Sequence, residues 1–204
     1  LLREAGRVPK IPVYVDSPLT VRLTEVFKHH PECYDEEVYD LLNSGRSPFD
    51  FDGLHYVSEV EESKAIDASD EPCIIISASG MCEAGRILHH LRTTVESPKN
   101  TVLIVGFQAQ HTLGRRLVER RSEVRIFGMM HPRAAEVVVL DGFSAHADQA
   151  GLVDFAEAVR QKGKLRQVIL VHGEPAPQRV LSDILSKRGF PSVHAPKPGE
   201  RIRL

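Results

Sequence analysis

Two histidines stand where side chains are free to do chemistry. In DGFSAHADQ, from Asp141 to Gln149, His146 sits among small residues, with Asp148 two places on. No bulky neighbour in sequence buries its ring, which suits acid–base work, and Asp148 is placed to orient it as a supporting carboxylate does. In VILVHGE, His172 is expected directly at the end of a four-residue apolar strand, with Gly173 leaving room for a ligand. Neutral imidazole so placed is either a metal ligand or a hydrogen-bonded structural residue. Glu174 either supports His172 or makes an ordinary surface ion pair. A third group is SASGM, where Ser77, Ser79 and Gly80 are expected to open a helix. Hydroxyls and backbone N–H groups at a helix N-terminus make a seat for phosphate. Turns after strands also favour Ser, Asp and Gly for backbone reasons alone. Finally, Arg115, Arg116, Arg120 and Arg121 either track a phosphate backbone or form a solvated helix face.

These residues need elements to aim them. A short strand over Ile11–Val15, ending in Asp16, precedes a helix from Pro18 with Leu19, Leu23, Val26 and Phe27 on one face. Short helices are expected near Glu36–Leu42 and Val60–Ala68, with a strand at His55–Val57 between them. From CIIIS onward, strands at CIIIS, TVLIV, VRIFG, VVVL and QVILV alternate with helices, and PSVH ends the pattern as a short strand. Nearly continuous Val, Ile and Leu predict strands buried on both faces in a layered α/β arrangement with a largely parallel sheet. Ligands in such sheets sit at the carboxyl ends of strands. Asp16, Ser77 to Gly80, Gly106 to His111, His146 and His172 are all expected there. In the helix after SASGM, Leu88 and Leu91 should pack while His89 and His90 stay partly exposed.

Bulk properties narrow the choices. The chain has 204 residues, 42% hydrophobic and 26% charged, with a formal net charge of -2. No global positive field draws it to nucleic acid, so a polyanion must be gripped locally. No apolar run of about 18 residues predicts a membrane span, and no signal-peptide pattern opens the sequence. Cys33, Cys73 and Cys82 are widely spaced and odd in number, which argues against a disulfide framework and fits a cytoplasmic location.

The combination of SASGM, GFQAQHTLGRR, GFSAHAD and VILVHGE, in this order, resembles the metallo-β-lactamase/β-CASP family of nucleic-acid-processing nucleases. The resemblance runs from YVDSPL to PKPGE. It implies that residues 1–140 form most of a β-CASP cap that clamps RNA, and that residues 141–204 are the C-terminal segment of a metallo-β-lactamase αββα fold. His146 then matches the motif B histidine, a proton donor beside the scissile phosphate, and His172 the motif C ligand of one of two zinc ions. Ser77, Ser79 and Gly80 match a phosphate-holding loop, and Arg115 and Arg116 become possible RNA contacts. One departure stands out: His111 occupies a position where the family usually has glycine, near the presumed RNA path.

The family's H-x-H-x-D-H run is absent from this sequence, as are its further ligands before the cap and its motif A acid. Zinc needs at least three protein ligands. With an opening, LLREAGRVPK, that reads as a helix tail ending at Gly6, this predicts a C-terminal portion of a larger enzyme, catalytically incomplete alone. It also predicts exposed apolar surface and self-association through unpaired strand edges. Two alternatives remain at this stage. One is a non-catalytic RNA-binding module. The other is a serine hydrolase using Ser79, Asp148 and His172, although Ser77 and Met81 stand where a nucleophile elbow requires glycine.

Overall fold

In the computed structural model, residues 6–144 and 146–203 are described; the expected N-terminal helix tail over residues 1–5 lies outside them. The chain divides into two compact units, the first ending at Phe143 and the second beginning at Ser144.

The first unit begins with β1 (Val13–Asp16), α1 (Pro18–Lys28) and α2 (Glu36–Asn43), followed by β2 (Leu54–Tyr56), α3 (Val60–Asp67) and β3 (Ile74–Ser77). Ser17 caps α1 through its hydroxyl, with Pro18 at the first helical position, and Asp35 caps α2. The three strands form a parallel sheet in the order β2-β1-β3, with Asp16 registered against Ser77. Next come α4 (Ile87–Thr94), β4 (Thr101–Ile104), α5 (Leu113–Val118), β5 (Glu123–Ile126), β6 (Met129–Pro132) and β7 (Glu136–Val139). β4 pairs in parallel with β7, while β5 and β6 form an antiparallel hairpin. The core joins Leu91 and Val95 around α4, Ile104, Leu113 and Leu117 of α5, and Val124, Ile126 and Val137.

The second unit comprises α6 (Gln149–Lys162), β8 (Val168–Ile169), α7 (Pro175–Lys187) and β9 (Val193–His194). β8 and β9 are parallel, and Val153, Leu185 and Phe190 make the core.

The layered, mostly parallel α/β arrangement is as expected, but several particulars differ. The strands are not covered on both faces: Ile74 is 40% exposed, Ile76 52% and Leu103 51%. Ile75 and Ser77, on the opposite side of β3, are less open than Ile74 and Ile76. Apolar composition records a strand's affinity for cover, not the presence of cover. On α1, Leu19, Leu23, Val26 and Phe27 are likewise exposed. Strand β6 was not anticipated, because MMHP has neither alternation nor β-branched residues; Gly128, at φ +83°, and Phe127 make the turn that folds it back on β5.

Candidate functional site

At the carboxyl end of the β2-β1-β3 sheet, Asp16 is completely buried. Its carboxylate accepts from Ser63 of α3 at 2.5 Å, from His90 Nε2 of α4 at 2.7 Å, and from the Arg86 guanidinium. His90 Nδ1 in turn faces Asp67 at 2.6 Å, and Arg86 also donates to the carbonyls of Val57 and Ser58. Burial by itself would raise the Asp16 carboxyl, but hydrogen bonds from Ser63, Arg86 and His90 outweigh it and hold the group below its ordinary value. The carboxylate is therefore the hub that ties β1 to α3, to α4 and to the residue that precedes α4. His90 is buried, contrary to the expected partial exposure, because both ring nitrogens meet carboxylates inside the fold.

SASGM does not open a helix. Between β3 and α4 lies a wound loop, Ala78–Arg86, so no helix N-terminus is presented by Ser77–Met81. The loop closes on itself through Ser79 N–H to the Ala84 carbonyl at 3.0 Å and Cys82 N–H to the Ser79 carbonyl at 3.0 Å. Gly85 is required there: φ is +81°, and a Cβ would come within 2.5 Å of the Ala78 carbonyl oxygen. The Ser77 hydroxyl donates to the Asp16 carbonyl at 2.8 Å, so its proton is committed to pinning β3 to β1. The Ser79 oxygen accepts from the N–H groups of Glu83 and Ala84 at 3.3 and 3.2 Å, which leaves its own proton for a further acceptor.

This loop interlocks with the one before α5. Gln108 Nε2 donates to the Gly80 carbonyl at 2.9 Å, Gly114 N–H to the Met81 carbonyl at 3.0 Å, and Leu113 N–H to the Glu83 carboxylate. Thr112 caps α5 by accepting from Arg115 N–H at 3.1 Å. Gly114 leaves space for the buried Gln108 amide, since a Cβ there would fall 1.7 Å from Gln108 Oε1. Cys82 is buried below, and burial raises its thiol to about 11, so it packs rather than reacts.

At α5, Arg115 and Arg121 both donate to Glu119, at 2.9 and 3.0 Å, and Arg116 donates to the His111 carbonyl at 3.0 Å. His111 has φ +70°, which explains why glycine suits this position better.

In the second unit, His146 and His172 are both exposed. The His146 N–H donates to the Ser144 hydroxyl at 3.3 Å. Asp148 caps α6, its Oδ1 accepting from Gly151 N–H at 2.8 Å. His172 does not end a four-residue strand: β8 is Val168–Ile169, and His172 lies beyond it at φ +60°, before α7. Beside it, an added Cβ on Gly173 would lie 3.3 Å from Cγ of Gln178. Glu174 is the N-cap residue of α7. Among the described residues no three His, Cys, Asp or Glu side chains stand together as a metal cage, and the exposed His172 carries an imidazole of the kind that zinc takes. The hydrogen bonds of Ser79 and of Asp148 are to backbone N–H groups, which lends the serine hydrolase reading no support.

Sequence reasoning placed Asp16 at a strand end but missed its partners. Ser63, Asp67 and His90 read as ordinary polar positions of amphipathic helices, and only the fold brings them to one carboxylate.

Comparison with known proteins accords with this architecture. The Beta-Casp domain matches residues 1–117, and the Zn-dependent metallo-hydrolase RNA specificity domain matches residues 130–196. A ribonuclease of Thermus thermophilus is 38% identical over 189 residues, covering 93% of this chain and 42% of the relative. Transcription termination factor FttA of Pyrococcus horikoshii is 30% identical over 212 residues, covering 100% of this chain and 32% of the relative. An RNase J-like protein of Methanocaldococcus jannaschii is 31% identical over 170 residues, covering 83% and 37%. The chain thus spans less than half the length of each of these relatives.

Proposed function

Because this chain belongs to the metallo-β-lactamase/β-CASP family of RNA-processing nucleases, we propose that it contributes the RNA-clamping cap and two active-site histidines of a zinc-dependent ribonuclease. The observation that carries this reading is the pairing of a Beta-Casp match with an RNA-specificity match in one chain, in the order residues 1–117 and 130–196. We assign the cap to residues 1–140 and the metallo-β-lactamase segment to residues 141–204.

In this reading His146 gives a proton to the leaving oxygen as a phosphodiester bond breaks, and its exposed ring suits that task. His172 is one zinc ligand; zinc, when bound, supplies charge stabilisation and an activated water. Ser79 donates its remaining proton to a substrate phosphate, with Gly80 beside it, while Ser77 acts by fixing β3 rather than by touching RNA. Asp148 acts by holding the start of α6 and hence the loop that carries His146. Among the described residues no helix is long and apolar enough to cross a membrane, and a cytoplasmic site of action fits an RNA substrate. The exposed faces of α1 and β3 favour self-association, detectable as a mass above 22.7 kDa in light scattering.

The test is a chimera in which this chain replaces the matched segment of the Thermus thermophilus ribonuclease. Cleavage of single-stranded RNA that requires zinc, with zinc content lowered by His172→Ala, is the expected result. A chimera that folds and binds RNA but never cleaves it would favour the non-catalytic RNA-binding module instead.

A further inference from the structure

The surface of α5 holds a pocket of about 200 Å³ lined by Gln110, His111, Arg115, Arg116, Glu119 and Arg121. Three guanidiniums and a single carboxylate line it. Glu119 does not simply cancel them: it accepts from Arg115 Nε at 2.9 Å and from Arg121 at 2.9 and 3.0 Å, and so fixes two cationic side chains in place. Arg116 is fixed separately, by its bond to the His111 carbonyl at 3.0 Å. These bonds take one N–H of Arg115, two of Arg121 and one of Arg116, from the five that each guanidinium carries.

His111 is the second observation. At φ +70° it occupies a conformation that glycine holds freely and that a side-chain-bearing residue holds only under strain. The residue is exposed, so packing does not offset the strain. Six described non-glycine residues take a positive φ, so the angle marks the position, and it is the lining of the pocket that puts His111 at the site. An imidazole offers at least one N–H donor in either neutral tautomer.

We propose that this pocket binds a tetrahedral phosphoryl group, with Arg115, Arg116, Arg121 and His111 as donors. Forked guanidinium donors match phosphate geometry, and oriented ones lose little freedom on binding. The chemistry is shared by an internal phosphodiester of RNA and by a free or terminal phosphate. For an RNA ligand the site rests on the reading of residues 1–140 as an RNA-clamping cap; it needs neither zinc nor cleavage, so loss of phosphate binding here and loss of cleavage in the chimera are told apart.

The experiment titrates the whole chain with inorganic phosphate, and separately with an oligouridylate lacking a terminal phosphate, with ionic strength held constant by chloride. The ring resonances of His111 and the Nε–H resonances of the arginines are followed by NMR. Saturable shifts at these positions are expected, with affinity reduced at least tenfold in Arg116→Ala and in Arg121→Ala. A response to both probes, or to the oligonucleotide alone, supports an internal phosphodiester as ligand; a response to phosphate alone supports a free or terminal phosphate. No response to either, or unchanged affinity in both arginine variants, overturns the proposal. His111→Gly separates ligation from strain: it should raise the thermal midpoint and weaken binding. A raised midpoint with unchanged affinity would remove His111 from the site.

Discussion

Replacing Asp16 by Asn tests whether the buried carboxylate organises the first unit. The substitution keeps the shape and removes the charge. Asp16 receives Ser63 and His90 on Oδ2 and Arg86 on Oδ1. An amide offers one acceptor oxygen and one NH2 group, so it cannot reproduce the two acceptors of the carboxylate. If the oxygen faces Ser63 and His90, the NH2 group meets the Arg86 guanidinium, donor against donor; if it is flipped, Arg86 keeps its acceptor but the Ser63 hydroxyl must turn and His90 must accept through Nε2. Removing one partner of a buried ion pair costs about 3–5 kcal/mol, and retention of one acceptor here places the expected loss near 3 kcal/mol. That is roughly a hundredfold in the folding equilibrium. The sequence has no tryptophan, and its four tyrosines, Tyr14, Tyr34, Tyr39 and Tyr56, all lie in the first unit. Tyrosine fluorescence therefore reports that unit alone during urea denaturation. With a slope of about 2 kcal/mol per molar urea, the midpoint should fall by about 1.5 M. The pH dependence has a definite sign. A carboxyl held below its ordinary value stabilises the fold above the unfolded value of 3.8, and the gain is lost as pH falls through the folded value. The gap between wild type and variant should be full at pH 7 and should narrow below about pH 4. A midpoint shift under about 0.5 M, or a gap that does not change with pH, would refute the reasoning.

The interlocked loops and the thiols give further checks. Gly114→Ala drives a Cβ onto Gln108 Oε1 and should cost about 1–3 kcal/mol by the same assay, whereas Gly106→Ala, with open space at its Cβ, gives a smaller loss. Leu117→Ala empties a completely buried position in the first core and should cost about 2–5 kcal/mol. Iodoacetamide at pH 8 should label exposed Cys33 and spare Cys82, buried and with its thiol raised to about 11; equal labelling of the two by mass spectrometry would contradict the loop's packing.

Much of the α/β order was legible because strong local signals mark it. Ser17 before Pro18 starts α1 as read, and the gain of apolar periodicity after Asp148 starts α6. What sequence could not supply was the use to which polar groups are put. Ser77, Ser79 and Asp148 were all legible as special positions, yet each is engaged with backbone, a partnership that local sequence does not distinguish from contact with a ligand. His90 looked like a surface residue because its two carboxylate partners are 74 and 23 positions away. Conversely, the odd residue at 111 was recognised, and backbone φ gave the physical reason. Strand burial was misjudged for a different cause: the Val, Ile and Leu content of β3 and β4 measures a preference, and each strand leaves one side open.

The central claim is that His146 protonates a leaving oxygen during RNA cleavage. Its most direct measurement compares, in the chimera, cleavage of ordinary RNA with cleavage of RNA bearing sulfur at the bridging leaving position, which departs without a proton. The account predicts that His146→Ala slows ordinary RNA by about 10²- to 10⁴-fold and leaves the sulfur substrate nearly unaffected. Equal slowing of both substrates would contradict it.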